Sequence, residues 1–106
     1  MTVYKDPEGY LRDGASSKHL YQRETAREVC KLLAVGGYQL VGLEGFIIHD
    51  DGTHQPVTET NFTRNFTAAT REDAEVINSQ GIASIDEDPV RVDAYAIVAR
   101  RFSNKS

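Results

Sequence analysis

Residues 38–49, Tyr38-Gln39-Leu40-Val41-Gly42-Leu43-Glu44-Gly45-Phe46-Ile47-Ile48-His49, constrain the fold more than any other stretch of the chain. Apolar side chains fall on both parities, with Leu40, Phe46 and Ile48 on one and Val41, Leu43 and Ile47 on the other. A strand with one dry and one wet face alternates, so this pattern predicts a central strand covered on both sides. Gly42 and Gly45 bracket Glu44, and glycine inside a strand marks a bulge or the close approach of another backbone. Glu44 is therefore expected in an apolar setting, where a carboxylate must be paired, hydrogen-bonded or protonated.

The flanking segments predict two helices and further strands. Residues 18–35 place Ala26, Val29, Cys30 and Leu33 on one stripe at helical spacing, with Arg23, Glu24, Arg27, Glu28 and Lys31 opposite and Gly36-Gly37 as the stop. Asp50-Asp51-Gly52 signals a hairpin, since both residue types accept positive φ. Pro56 then bars the centre of a sheet and predicts an edge or a bulge. Thr70-Arg71-Glu72-Asp73 opens a second helix as a capping box with Asp in the last place, and Gly81 is expected to close it. Residues 90–102 form the last strand; its even side, Val90, Val92, Ala94, Ala96 and Val98, is wholly aliphatic and is expected to face the core. Near the start, Asp6-Pro7-Glu8-Gly9 reads as a turn between two short extended pieces.

These elements predict one α+β domain over residues 1–106, with two helices on one face of an antiparallel three- or four-stranded sheet. Val3-Tyr4 is the optional first strand; residues 1–16 otherwise form an N-terminal arm, and residues 103–106 a tail. The order βαββαβ resembles the ferredoxin-like sandwich in element order. Helices on one face leave the other face free, and that face is expected to show Tyr38, Leu40, Glu44, Phe46 and Ile48 from the central strand. Asn61, Thr63, Asn65 and Thr67 join them from the next strand, and Arg91, Asp93, Tyr95 and Ile97 from the last. So much exposed apolar surface calls for a cover: a second subunit, a protein partner or a ligand.

Composition removes several function classes. The net charge of -4 opposes nucleic-acid binding, which needs a basic surface. No apolar run is long enough to span a bilayer, so no membrane role is expected. The first nine residues lack the apolar core of a secretory signal, and a cytoplasmic protein of bacterial or phage type is expected. Cys30 is the single cysteine and excludes both an internal disulfide and a cysteine-based zinc site. His49 and His54 flank the hairpin tip as the candidate metal ligands, against the reading that such a tip is only a solvated turn; no metal and no cofactor are expected. No phosphate loop, serine triad or His-Glu-x-x-His stretch occurs.

The functional expectation is a small binding protein, self-associating or blocking a partner through its open sheet face. The residues assigned to that surface are Glu44, Phe46, Asn65, Thr67, Arg91 and Tyr95. A binding role is expected in preference to an enzymatic one. The alternative is a small-molecule site or minor enzyme around Glu44, with Tyr95 as the second catalytic candidate.

Overall fold

The computed structural model describes residues 3–4, 7–12, 14–15, 20–64, 67–88 and 92–102, with backbone alone at residues 3–4, 7–8 and 58–61. The chain runs β1 (Val3–Tyr4), α1 (Pro7–Arg12), β2 (Leu20–Gln22), α2 (Arg23–Leu33), β3 (Tyr38–Ile48), β4 (His54–Thr63), α3 (Arg71–Glu87) and β5 (Ala94–Arg101). The sheet order is β1-β2-β5-β3-β4, with β1 parallel to β2 and every other neighbouring pair antiparallel. The class is α+β, with three helices and five strands among the described residues instead of two helices and three or four strands. No helix is long and apolar enough to cross a membrane.

Three local expectations change. Residues 7–9 do not form a turn: Pro7 begins α1, a position where its missing N–H costs nothing and its φ is already helical. The helix expected from residue 18 starts at Arg23, because Leu20 to Gln22 pair with Ala94 to Ala96 as strand β2. Residues 16–19 lie outside the described residues. Gly81 does not end a helix but sits buried in the middle of α3. A Cβ there would run into Leu40 Cδ2 and come within 3.5 Å of Leu43 Cδ1. This glycine serves close helix-on-strand packing.

The other punctuation stands. Thr70 Oγ1 accepts the N–H of Asp73 at 3.1 Å to cap α3, and Gly52 turns the β3–β4 hairpin at φ 87°. Pro56 lies in β4, an edge strand, where its absent donor breaks no ladder. The pairs Glu24–Arg27 and Glu28–Lys31 form on α2 at 3.5 and 3.1 Å, each a surface contact of small worth.

The core lies between the helices and one face of the sheet. From α2 it takes Ala26, Val29, Cys30 and Leu33, from α3 Ala74, Ile77 and Ile85, and from the sheet Leu40, Leu43, Phe62, Tyr95 and Ile97. Tyr10 of α1 joins it, edge-on to Tyr21, with its hydroxyl donated to Ile97 O at 3.0 Å. Two buried amides tie β3 to α3 and to the segment between β4 and α3. Asn78 Oδ1 accepts from Leu40 N at 2.8 Å, and Gln39 Oε1 accepts from Ala68 N at 2.5 Å. They satisfy backbone donors that the ladder leaves over where β4 has ended.

Candidate functional site

The two-parity apolar pattern of β3 comes from one bulge at Val41 rather than from burial on both sides; the second irregularity puts its extra residues in β4. The β3–β5 register slips between Leu40 and Gly42, and the β3–β4 register slips between Leu43 and Gly45. An extra residue in a strand shifts the side-chain alternation by one, so Leu40 and Leu43 both meet α3 although their numbers differ by three. Past the bulge, Ile47 packs toward the core, which leaves Glu44, Phe46 and Ile48 on the opposite face. Glu44 is exposed and shows no ion pair or hydrogen bond among the described residues. The expectation of a carboxylate in an apolar interior is overturned: Leu40, the neighbour that was to enclose it, is on the far side of the sheet.

The last strand departs from its expected orientation from Tyr95 onward, while Val92 and Ala94 are buried as expected. Tyr95 and Ile97 have no exposed surface, whereas Val98 is 45 % exposed. Residues directly opposite in a ladder share a face. Ala96 stands opposite Glu44, Val98 opposite Gly42, and Arg100 opposite Gln39. Ala99, opposite Leu40, packs against the core, so alternation puts Arg100 on the side of Val98. The reason for the departure is volume. The space between helices and sheet must be filled at crystal-like density, and Tyr95 and Ile97 fill it where Ala94 and Ala96 cannot.

The uncovered surface is therefore built from Glu44, Phe46 and Ile48 of β3, Ala96, Val98 and Arg100 of β5, and the exposed Thr63, Pro56 and His54 of β4. Phe46 and the His54 ring make an edge contact at 5.6 Å. Gly42, with no side chain, and Ala96, with a small one, leave a depression of about 290 Å³ walled by Glu44, Thr63 and Val98. Toward β2 the face closes, since Leu20, opposite Ala96, is buried, and it closes at both ends of β5, where Ala94, opposite Phe46, and Gln39, opposite Arg100, have no exposed surface. Arg100 is half-buried, and its Nε is out of solvent with no partner among the described residues.

Other expected site residues go elsewhere. Tyr95 donates its hydroxyl to Asp88 Oδ2 at 2.8 Å beyond the end of α3. Burial, with that bond second, raises the Tyr95 phenol well above its usual range, and burial also raises Asp88. Arg23 caps the same helix end, donating to Ile85 O at 2.5 Å and Asp88 O at 2.6 Å. Tyr95 is thus a core residue holding a helix terminus. Thr67 lies beside Ala69, Val76 and Gln80 near the start of α3, away from the sheet face. Asn65 and Arg91 lie outside the described residues. Asp93 is a brace: its carboxylate accepts from Ile48 N at 2.8 Å while its own N–H reaches Phe46 O at 2.9 Å.

At the hairpin tip, His49 Nε2 meets Gln55 Oε1 at 3.0 Å and His54 packs on Phe46, so the two rings serve separate contacts. Among the described residues no three of His, Cys, Asp and Glu are grouped to hold a metal ion. Asp51 accepts the N–H and hydroxyl of Thr53 at 3.0 and 2.7 Å, and these bonds hold its carboxyl below the usual range. Cys30 is buried in α2 as its stripe predicts, and burial pushes its thiol up to about 12.

Chemically, the described residues of the open face offer the Glu44 carboxylate, the Arg100 guanidinium, the His54 ring and the Thr63 hydroxyl on apolar ground. General acid–base work needs a second group within hydrogen-bond reach, and among the described residues none stands by Glu44. Sequence reading missed Val98, Ala96 and Arg100. The signal available for them was the bulk of Tyr95 and Ile97 on the alternate positions. No family model matches the chain, and no curated protein is similar to it.

Proposed function

We propose that this chain is a small cytoplasmic binding protein whose working surface is the uncovered sheet face over β3, β4 and β5. The observation that carries the reading is the exposure of Val98 in mid-strand, next to half-buried Phe46 and Ile48, on the side of the sheet away from the helices. Mid-strand β-branched and aromatic side chains facing water are what a partner covers. The element order β2-α2-β3-β4-α3-β5 is that of the ferredoxin-like sandwiches, whereas the sheet order sets β5 between β2 and β3, so the likeness is one of element order alone. The lone buried thiol suits a reducing compartment.

Sedimentation at micromolar concentration together with binding of a hydrophobic dye tests the surface. We expect either an oligomer or a dye-binding monomer, with the behaviour lost in Val98→Asp. A monomer that binds no dye refutes the proposal.

A second reading, a small-molecule site around Glu44, is favoured by the depression beside that residue. At about 290 Å³ it falls just below the roughly 300–1,000 Å³ of ordinary ligand pockets, and Tyr95 is not in its wall. A compound that raises the melting temperature of the wild type but not of Glu44→Gln would move the preference to this reading.

A further inference from the structure

We infer that the occupant of the open face is a second copy of this chain, packed sheet to sheet about a two-fold axis crossing the strands at the level of Val98, with Glu44 of each copy against Arg100 of the other. The inference rests on the reading of this face as a binding surface and adds its partner and register.

Charge placement is the first support. Glu44 and Arg100 lie on the same face on either side of Val98, because Ala96 pairs with Glu44, Val98 with Gly42, and Arg100 comes two residues later. The strand length from Ala96 to Arg100 is about 13 Å at the usual rise per residue, so the two charges sit about 6.5 Å up and down the strand from Val98. A two-fold axis lying between the sheets reverses strand direction and exchanges the two positions. Each carboxylate then meets a guanidinium, one pair on either side of the apolar centre. An isologous contact must be self-complementary in this way, with i on j and j on i.

The second support is the state of the two groups. Glu44 has no ion pair or hydrogen bond among the described residues. Arg100 Nε is shielded from solvent and likewise unsatisfied among them. That nitrogen is covered by the chain itself, so a partner's carboxylate meets the terminal nitrogens of the half-buried guanidinium, for which it is the best-matched acceptor. Arg101 and Arg64 are already stacked over Tyr38 and Phe62 at 5.0 and 4.4 Å.

Size is the third. Among the described residues the exposed area runs across three strands from Ile48 and His54 past Glu44 and Ala96 to Val98, Thr63 and Arg100, with Ala94 and Gln39 buried at its margins. At normal strand spacings it measures on the order of 30 by 14 Å, and two such faces remove on the order of 1,000 Å² from water, about the least a specific interface buries. The expected dimer is one of micromolar affinity. A bulkier partner of different shape would have to leave the central charges unmatched or bring its own complement.

Sedimentation equilibrium on the full chain tests this, with circular dichroism to confirm that each variant folds; Glu44 and Val98 already face solvent. We expect the wild type to dimerise. Glu44→Arg and Arg100→Glu should each weaken association by about tenfold or more, and the combined exchange should recover most of the loss, since close interfacial charge pairs show couplings of that size. Should Arg100→Glu fold poorly, Arg100→Gln paired with Glu44→Gln keeps the cycle measurable. A wild type that stays monomeric at high micromolar concentration, yet loses dye binding in Val98→Asp, overturns the second copy and leaves the surface standing. A dimer indifferent to Val98→Asp overturns both.

Discussion

The two sides of β5 carry opposite kinds of residue for opposite reasons. Toward the helices it presents Tyr95, Ile97 and Ala99, the first two without exposed surface. Away from them it presents Ala96, Val98 and Arg100, with Val98 nearly half exposed. By hydropathy alone the second side, extended to Val90, Val92 and Ala94, is the more uniform. The packed side is nevertheless the one with the larger and partly polar residue, because a tyrosine fits a core when its hydroxyl reaches an acceptor, as that of Tyr95 reaches Asp88. Burial in this strand follows volume and hydrogen-bond satisfaction; of the aliphatic side the chain itself covers Val92 and Ala94 and leaves Val98 to water.

The largest test of this contrast is truncation on each side. Ile97→Ala should cost about 2–5 kcal/mol in denaturant melts, the range for emptying a filled core site. Val98→Ala, measured in protein too dilute to associate, should cost no more than about 0.5 kcal/mol. A penalty at Val98 that grows with protein concentration belongs to whatever covers the open face. Equal penalties in dilute protein would break the comparison.

Alkaline pH probes the packed side alone. Burial raises the Cys30 thiol to about 12 and raises the phenols of Tyr10 and Tyr95. In the unfolded chain these groups ionise from about pH 8.5 for the thiol and about pH 10 for the phenols. Between those values and the raised folded ones the native state holds more protons, so stability falls as pH rises, by up to about 1.4 kcal/mol per pH unit for each group. Ionisation of Cys30 should leave melting temperatures unchanged at neutral pH and lower them above about pH 9, and the alkaline drop should be smaller in Cys30→Ala, whatever its lower neutral-pH starting point. The native thiol should also resist labelling until the protein unfolds. Rapid labelling at neutral pH would place α2 on its wrong face.

On the packed side, a smaller effect than that of Ile97→Ala is expected at Tyr95→Phe. It keeps the packed ring but removes the donor to Asp88, for a loss of about 1 kcal/mol. No association or ligand phenotype should accompany it, since the hydroxyl is on the side of the sheet away from the open face. A change in sedimentation in this variant would sink the separation of the two sides.

The sequence by itself determined the features that depend on neighbours within a few residues. The Thr70 cap, the reversal at Asp50-Asp51-Gly52, the burial of Cys30 on its helical stripe and the disruption of β3 around its glycines all arise from local φ, ψ and hydrogen-bond needs. So did the existence of a helix-free sheet face. Only the tertiary structure decided which residues stand on that face. An alternating strand is symmetric until something is packed against it, and a single bulge moves every later side chain to the other surface. The same holds for Gly81, whose role depends on Leu40 some forty residues away, and for β2, which is a strand because Ala94 to Ala96 lie beside it. Glu44 was legible as the odd residue of its strand. That it faces outward, with Arg100 on the same surface, came from a register slip and from the volume of Tyr95 and Ile97, quantities that exist only once the elements are assembled.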